Sequence, residues 1–430
     1  MVPTMTTERE ILSPEAVERL GAVGAADIVV GIPSFNNART IGHVVRAVQA
    51  GLAKYFPDRT ALLINSDGGS TDGTREVVAE AAADFQSLLL RHAPERFFKL
   101  VTPYQGIPGK GSAFRTVFEV ARRLQAKACA VVDSDLRSIT PEWLDLLLRP
   151  VLEDDFDFVA PLYHRHKFDG TITNSIVYPL TRSLYGKRVR QPIGGDFGFS
   201  GRLAAHWADQ PVWETSIARY GIDIWMTTTA LAGGFKVCQA FLGAKIHDAK
   251  DPGADLSAML QQVLDTLLGL MGTHHSVWKG IRGSEPVPTF GFTYTVGLEP
   301  IPADPARLRA RLRQGLADLH TIYRLFLPPP LLEELEGCAR EEQGCPFPDT
   351  LWVALLHETA LAFQERMLHP EHLLKSLTPL YLGKVAAFVE EMRDAGSEEV
   401  EARLEALCAV FESEKPKLIE RWEALIAPNP

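Results

Sequence analysis

The chain has 430 residues, 46% of them hydrophobic, with 44 basic against 54 acidic side chains and a formal net charge of −10. That length implies two or three domains, and the acidic balance argues against generic binding to nucleic acid or to an anionic membrane. The N-terminal stretch has no apolar h-region and no apolar run is long enough to span a bilayer, so a cytoplasmic protein without integral membrane association is expected.

Residues 1–25 read as an N-terminal extension holding a short helix. Strands at 27–33, 60–66, 97–102, 127–133 and 157–162 then alternate with helices at 38–53, 71–84, 111–125 and 141–150. Such strand–loop–helix units predict an α/β, Rossmann-like, mostly parallel sheet whose loops open on one edge. A helix follows at 171–186, then a Gly-rich stretch turning helical at 193–207, a helix at 221–234, a strand at 235–243 and an amphipathic helix at 256–275. The Gly/Pro-rich stretch 283–305 marks a boundary. Beyond it, apolar residues recur at helical spacing over 305–325, 329–342, 349–366, 371–393 and 398–426. The expected organisation is therefore an extension (1–25), an α/β domain (26–285) and an all-α C-terminal domain (286–430). Five scattered cysteines show no zinc spacing, and Cys129 and Cys238 lie in apolar runs that suit buried thiols.

The run KACAVVDSDL (127–136) ends in two carboxylates one residue apart, Asp133 and Asp135. Ligands bind at the C-terminal ends of strands in open sheets, and extended geometry would point both carboxylates the same way. Two such oxygens suit a hard divalent ion that keeps positions open for phosphates; the bland reading is a polar strand end. Upstream stand IPSFNN (32–37), SDGGSTDGT (66–74) and GIPGKGSAF (106–114), a Gly/Pro loop with a lone Lys110. Alone, the second is an ordinary turn and the third a solvated loop. The third is no Walker A loop, because Tyr104 stands where the first Gly belongs and Gly111 follows the lysine. Together these loops carry the carboxylates, backbone amides and ammonium that a nucleoside diphosphate and its metal need.

In their order and spacing over about 26–250, these four motifs resemble the family-2-type nucleotide-sugar glycosyltransferases with the GT-A fold. PGKG (108–111), QPIGGD (191–196), GID (221–223), LGAKIHDAKDP (242–252) and the helical tail with PFPDTLWVALLHETALAF (346–363) further resemble the retaining mannosylglycerate synthase and glucosyl-3-phosphoglycerate synthase group. The resemblance implies a metal-dependent, retaining transferase that moves glucose or mannose from a UDP-, GDP- or ADP-sugar to a small hydroxy acid such as D-glycerate or 3-phosphoglycerate. Asp133 and Asp135 are both candidates for Mg2+ or Mn2+; Asp135 would be the direct ligand, with His247 closing the site and Asp133 nearer the ribose or just behind the direct ligands. A lone histidine there reads otherwise as a hydrogen-bonded structural residue.

Pro33, Ser34, Asn37, Asp67 and Ser70 would bound the nucleoside pocket, Asp67 accepting from the base, and Lys110 would approach the diphosphate. Gly194 and Gly195 would let backbone approach the sugar, which Asp196 and Asp223 would face as catalytic carboxylates. Thr173, Asn174, Tyr178, Thr181 and Arg182 would hold the acceptor, with Arg182 forking its carboxylate.

One alternative is an inverting family-2-type transferase acting on a saccharide or lipid-linked acceptor, for which Asp196 would be the base. The missing transmembrane helices and QxxRW motif argue against it. A nucleotidylyltransferase lacks its N-terminal signature here, and the acid–histidine set disfavours a non-enzymatic binding protein. Oligomeric state stays open, with the helical tail a candidate surface for a homodimer or higher homo-oligomer.

Overall fold

The computed structural model describes residues 11–89, 97–104, 106–246, 256–294, 297–298, 301–340 and 347–427. In chain order the first elements are α1 (Pro14–Val23), β1 (Ile28–Ser34), α2 (Ile41–Tyr55), β2 (Ala61–Asp67), α3 (Thr74–Leu89), β3 (Phe97–Pro103), α4 (Lys110–Arg123), β4 (Ala128–Val131), α5 (Glu142–Glu153) and β5 (Phe158–His164). A π-type turn (Thr173–Val177) leads into α6 (Tyr178–Tyr185), then β6 (Lys187–Arg188), β7 (Phe197–Ser200), α7 (Gly201–Ala208), α8 (Ile222–Ala232) and β8 (Val237–Ala244). The remainder is α9 (Ser257–Thr273), α10 (His275–Trp278), β9 (Glu285–Pro286), β10 (Thr289–Phe290), α11 (Pro305–Phe326), α12 (Pro329–Arg340), α13 (Asp349–Glu365), α14 (Pro370–Glu391) and α15 (Ser397–Ile426).

These elements group into two compact units: 1–164 with 194–248 and 288–295, and 165–193 with 249–287 and 296–430. The first unit is built on an eight-stranded sheet of order β10-β8-β5-β7-β4-β1-β2-β3. Every neighbouring pair is parallel except those made by β7, which runs antiparallel to both β4 and β5. Strands buried on both faces read as continuous apolar runs, and β1, β2, β4 and β8 are buried at every position. On one face Ile28, Val30 and Ile32 pack with Val44, Val45 and Val48 of α2 and with Trp143, Leu144, Leu147 and Leu148 of α5. The α/β class and the mostly parallel sheet expected from the sequence are what the chain adopts.

The second unit is helical. Its centre is the pairing of α11 with α14 and the packing of α15 against α6 and α13. Segment 165–193 belongs here because α15 covers it, an association between residues more than two hundred positions apart that no local pattern announces. The helices at 305–426 fall within a few residues of the expected ones.

Three local features depart from expectation. The stretch 193–207 was read as a Gly-rich loop turning helical, yet Phe197–Ser200 is a buried strand. Its four residues are too short to show a period, and only the gap between β4 and β5 makes it a strand. Thr289–Phe290, inside the expected boundary stretch, pairs with β8. The ladder of β4 stops at Val131, and the chain turns at Ser134–Asp135. Strand alternation therefore does not set the directions of Asp133 and Asp135.

Candidate active site

Three loops follow β1, β2 and β4 at the same sheet edge, and side-chain hydrogen bonds stitch them together. Asn36 N–H donates to Ser70 Oγ (2.8 Å), Thr71 N–H to Asn36 Oδ1 (3.0 Å) and Asn37 N–H to Thr74 Oγ1 (2.8 Å). Ser134 Oγ donates to Asn37 Oδ1 (2.8 Å), and Thr40 Oγ1 to the Ser134 carbonyl (2.8 Å), so the DSD turn hangs on the β1 loop. Asp67 anchors the assembly. Its carboxylate is 1% exposed and accepts from Ser34 Oγ (2.9 Å), Ser70 Oγ (2.6 Å), Ser70 N–H (2.9 Å) and Gly69 N–H (3.0 Å). Two oxygens offer about four lone-pair sites, and these four donors fill them. The geometry makes Asp67 the organiser of the loops after β1 and β2, with Ser34, Gly69 and Ser70 its partners and Asn37 tied in through Thr74 and Ser134. Pro33 lies buried at the end of β1 beside them.

A second cluster lies where α4, β4, α8 and β8 approach each other. Lys110 opens α4, flanked by glycines for a steric reason. A Cβ at Gly111 would sit 1.9 Å from the Ile217 carbonyl oxygen, and one at Gly109 2.5 Å from that of Ala218. That backbone contact holds the lysine near Asp223 in the first turn of α8. Lys110 Nζ lies 2.8 Å from Asp133 Oδ1, 3.2 Å from Asp223 Oδ1 and 3.3 Å from Asp223 Oδ2. On the other side of Asp133, Lys245 Nζ donates to Asp133 Oδ2, to Asp196 Oδ2 and to the Gly194 carbonyl, each at 2.8 Å. Asp196 closes the chain: Oδ1 accepts from the Asp133 N–H (2.7 Å) and Oδ2 also accepts from the Tyr163 hydroxyl. Gly195 sits in the left-handed region (φ +92°), and a Cβ there would come 2.3 Å from Asp133 Oδ2, so only glycine fits.

The result is an alternating series Asp223–Lys110–Asp133–Lys245–Asp196. Burial, which alone would raise the Asp133 carboxyl, is outweighed by Lys110 and Lys245, and its pKa is held far below the usual carboxylate range. Burial would lower Lys110, but Asp133 and Asp223 overcome it and raise the ammonium's pKa, so the lysine stays charged. Asp223 goes the other way. Burial pushes its pKa up, with Lys110 opposing and Asp133 adding like charge. Its Oδ1 is a buried oxygen to which no described residue donates a hydrogen bond, although Lys110 Nζ stands 3.2 Å away as an ion-pair partner. Buried orphan acceptors are rare enough to ask what fills them.

The expected metal set is only partly visible. Both Asp133 oxygens are taken by lysines, so the donor chemistry fits Asp135, half-buried at its turn, better than Asp133. His247 lies outside the described residues, and among those residues no three His, Cys, Asp or Glu side chains cluster as a metal set.

Three expectations change. With its lone-pair sites filled by Ser34, Ser70 and Gly69, Asp67 does not accept from a base. Asp196 is wholly buried with both oxygens engaged, so it does not face a sugar. Arg182 is 4% exposed and donates from Nε to Glu412 (2.8 Å) and Ser284 (3.0 Å), and from Nη1 to Glu405 (2.6 Å) and the Tyr178 hydroxyl (3.2 Å). The fork expected to hold an acceptor carboxylate is filled by two glutamates of α15. The rest of that segment is similarly engaged. Thr181 Oγ1 donates to the Val177 carbonyl (2.6 Å) and Asn174 Oδ1 accepts from Arg190 (2.9 Å), while Thr173 is buried in the π-type turn.

Lys245 and Tyr163 escaped the sequence reading. A signal existed for Lys245: a single lysine directly follows an eight-residue strand buried throughout, where a charge is costly unless paired.

Residues 29–203 match the family model described as Glycosyl transferase family 2. No curated protein matches the chain. Among solved structures, glucosyl-3-phosphoglycerate synthase from Mycobacterium tuberculosis with Mn2+, uridine diphosphate and glucosyl-3-phosphoglycerate is 24% identical, over 62% of this chain and 87% of that one, with a TM-score of 0.46. The same enzyme with Mn2+, UDP-glucose and phosphoglyceric acid is 24% identical over 62% and 86%, with a TM-score of 0.44. A mycobacterial protein is 25% identical over 62% and 80%, with a TM-score of 0.43.

Proposed function

We propose that this chain, whose residues 29–203 form a family 2 glycosyltransferase domain, moves a hexose from a nucleoside diphosphate sugar to a small hydroxy acid such as D-glycerate or 3-phosphoglycerate, with retention at the anomeric carbon. The observation that carries the donor half is the Asp223–Lys110–Asp133 series at the sheet edge, next to the loops ordered by Asp67. The acceptor half rests on the resemblance of PGKG, QPIGGD, GID and LGAKIHDAKDP.

In this reading the β1 and β2 loops hold the nucleoside and Lys110 meets the diphosphate. Asp133 keeps the ammonium charged and aimed, which costs no reorganisation as negative charge develops on the leaving group. The unsatisfied Asp223 Oδ1 accepts from a sugar hydroxyl, and the Gly194–Gly195 backbone lies alongside. Asp135 with His247 would hold the divalent ion, which supplies Lewis-acid neutralisation of the diphosphate.

Asp196 bears on stereochemistry. An inverting reaction needs a carboxylate base open to the acceptor, and Asp196 is fully buried with both oxygens engaged by protein donors. Retention then proceeds by attack on the leaving-group face. The acceptor's anion has no assigned partner, since Arg182 is committed to Glu405 and Glu412.

A matrix of UDP-, GDP- and ADP-hexoses against D-glycerate, 3-phosphoglycerate and glycerol, with Mg2+ or Mn2+, tests the reading by NMR of product and anomer. An α-linked glycoside of a hydroxy acid from an α-linked donor is expected. Equal use of glycerol would remove the hydroxy-acid assignment, and a β-linked product would remove retention.

A further inference from the structure

The alternating series contains one cation with no donor left for a substrate. An ammonium carries three N–H donors. Those of Lys245 go to Asp133 Oδ2, Asp196 Oδ2 and the Gly194 carbonyl, all at 2.8 Å, and the side chain is 4% exposed. Lys110 differs: its side chain is 15% exposed, and its third partner, the Gly195 carbonyl, lies at 3.5 Å. The two lysines grip the same carboxylate, but only Lys110 is placed to exchange a partner for a ligand.

We infer that Lys245 is a positioning residue: it touches no substrate, and it fixes the Gly194–Asp196 turn and the Asp133 carboxylate so that Lys110 is presented to the donor. Four observations support this beyond the three bonds. Ile246 N–H donates to Ser138 Oγ (3.0 Å) and the Ile246 carbonyl accepts from Arg137 N–H (2.9 Å), which pins the end of β8 to the loop that follows the DSD turn. The ammonium lies 5.2 Å from the centre of the Tyr163 ring, whose hydroxyl donates to the same Asp196 oxygen. Asp196 in turn accepts from the Asp133 N–H, so removing the lysine charge would unbalance both the side chain and the backbone of Asp133. Finally, a Cβ at Gly195 would come 3.0 Å from Lys245 Nζ, so the glycine lets the turn close on the ammonium, whose three-way donor geometry a planar guanidinium does not reproduce.

The proposal rests on the donor reading above, and the test separates the two. Lys245→Met keeps the stem and removes the charge. Asp196→Asn removes the opposing charge, and the double variant K245M/D196N restores the balance, so it folds even where the first does not. Titration calorimetry with UDP, GDP and ADP in the presence of Mn2+ gives affinity, and turnover with the matching hexose donor gives kcat and KM. Lys245→Met is expected to lower kcat at least a hundredfold while nucleoside diphosphate affinity and donor KM stay within about threefold. The two single variants are expected to be non-additive, the double variant losing no more than the worse single one. Lys245→Arg should not rescue.

A kcat within threefold of the parent, per folded molecule, overturns the proposal. So does a loss of affinity in step with kcat, which would make Lys245 a ligand of the diphosphate. Additive losses in the double variant overturn it as well. A parent chain that binds none of the three nucleotides refutes the donor reading first, before any variant is made, and the proposal falls with it.

Discussion

Each unit of this protein buries a chain of alternating charges, and the two chains differ in one respect. In the sheet unit, Asp223–Lys110–Asp133–Lys245–Asp196 ends in a buried carboxylate oxygen that no described donor satisfies. In the helical unit, Lys384 donates to Asp349 Oδ1 (2.6 Å) and to the Phe347 carbonyl (2.9 Å), and Arg403 grips both oxygens of Asp349 (2.8 Å each). There each named group finds its counterpart on a neighbouring helix. A buried ion pair is therefore no sign of function by itself. The informative feature is the oxygen left without a hydrogen-bond donor among the described residues, at the edge of a sheet where several loops converge.

Single substitutions separate the two kinds of charge network. Asp349→Ala leaves Lys384, 4% exposed, and Arg403 without their shared carboxylate, and should cost about 3–5 kcal/mol of stability. Turnover per folded molecule should not change. Chemical denaturation and kcat on the same preparation decide; a fall in kcat without a fall in stability would move the helical network into the site.

Lys110→Met should do the reverse. It removes the cation facing the developing charge, and kcat should drop on the order of 10²–10³-fold, with a smaller change in melting temperature. Unchanged turnover would reduce Lys110 to a structural counter-ion of Asp133.

Asp67→Ala lies between the two kinds. Ser34, Ser70 and Gly69 lose their acceptor, so both stability and nucleoside diphosphate affinity should fall by about 1–3 kcal/mol. Stability lost with affinity intact would place the nucleoside elsewhere.

The effect confined to acid pH concerns His357 in α13. Burial, with Arg421 and Lys417 adding to it, lowers this imidazole to about 3 from an ordinary value of 6.5. The unfolded chain takes up the proton first as pH falls. The neutral imidazole's contribution is thus complete above about pH 6.5 and is lost between there and about pH 3. Over that window His357→Leu should flatten the stability–pH curve by about 1.4 kcal/mol per pH unit, whereas turnover at neutral pH should not respond. An unchanged acid limb would show that His357 keeps its proton in the folded chain.

The residues themselves determined a good deal. Strand–loop–helix alternation announced the mostly parallel sheet, and helical periodicity announced the helices from 305 onward, because both are local patterns repeated several times over. Asp133, Lys110 and Asp223 were legible as charged residues at strand ends, beside glycines or in a helix's first turn, and all three do meet in one cluster. What each carboxylate does there was not legible. Asp67, Asp196 and Asp223 look alike in sequence, yet two have both oxygens engaged by protein donors and one does not, a count that depends on groups up to 63 positions away for the first pair and 113 for the last. Nor was it legible that Arg182 serves α15: its partners lie 223 and 230 residues downstream. The four residues of β7 became a strand only because β4 and β5 left a gap between them. Period and charge are properties of neighbours along the chain. Hydrogen-bond saturation and burial are properties of neighbours in space, and here they set Asp223, with one oxygen to which no described residue donates, apart from Asp67 and Asp196, held by protein donors.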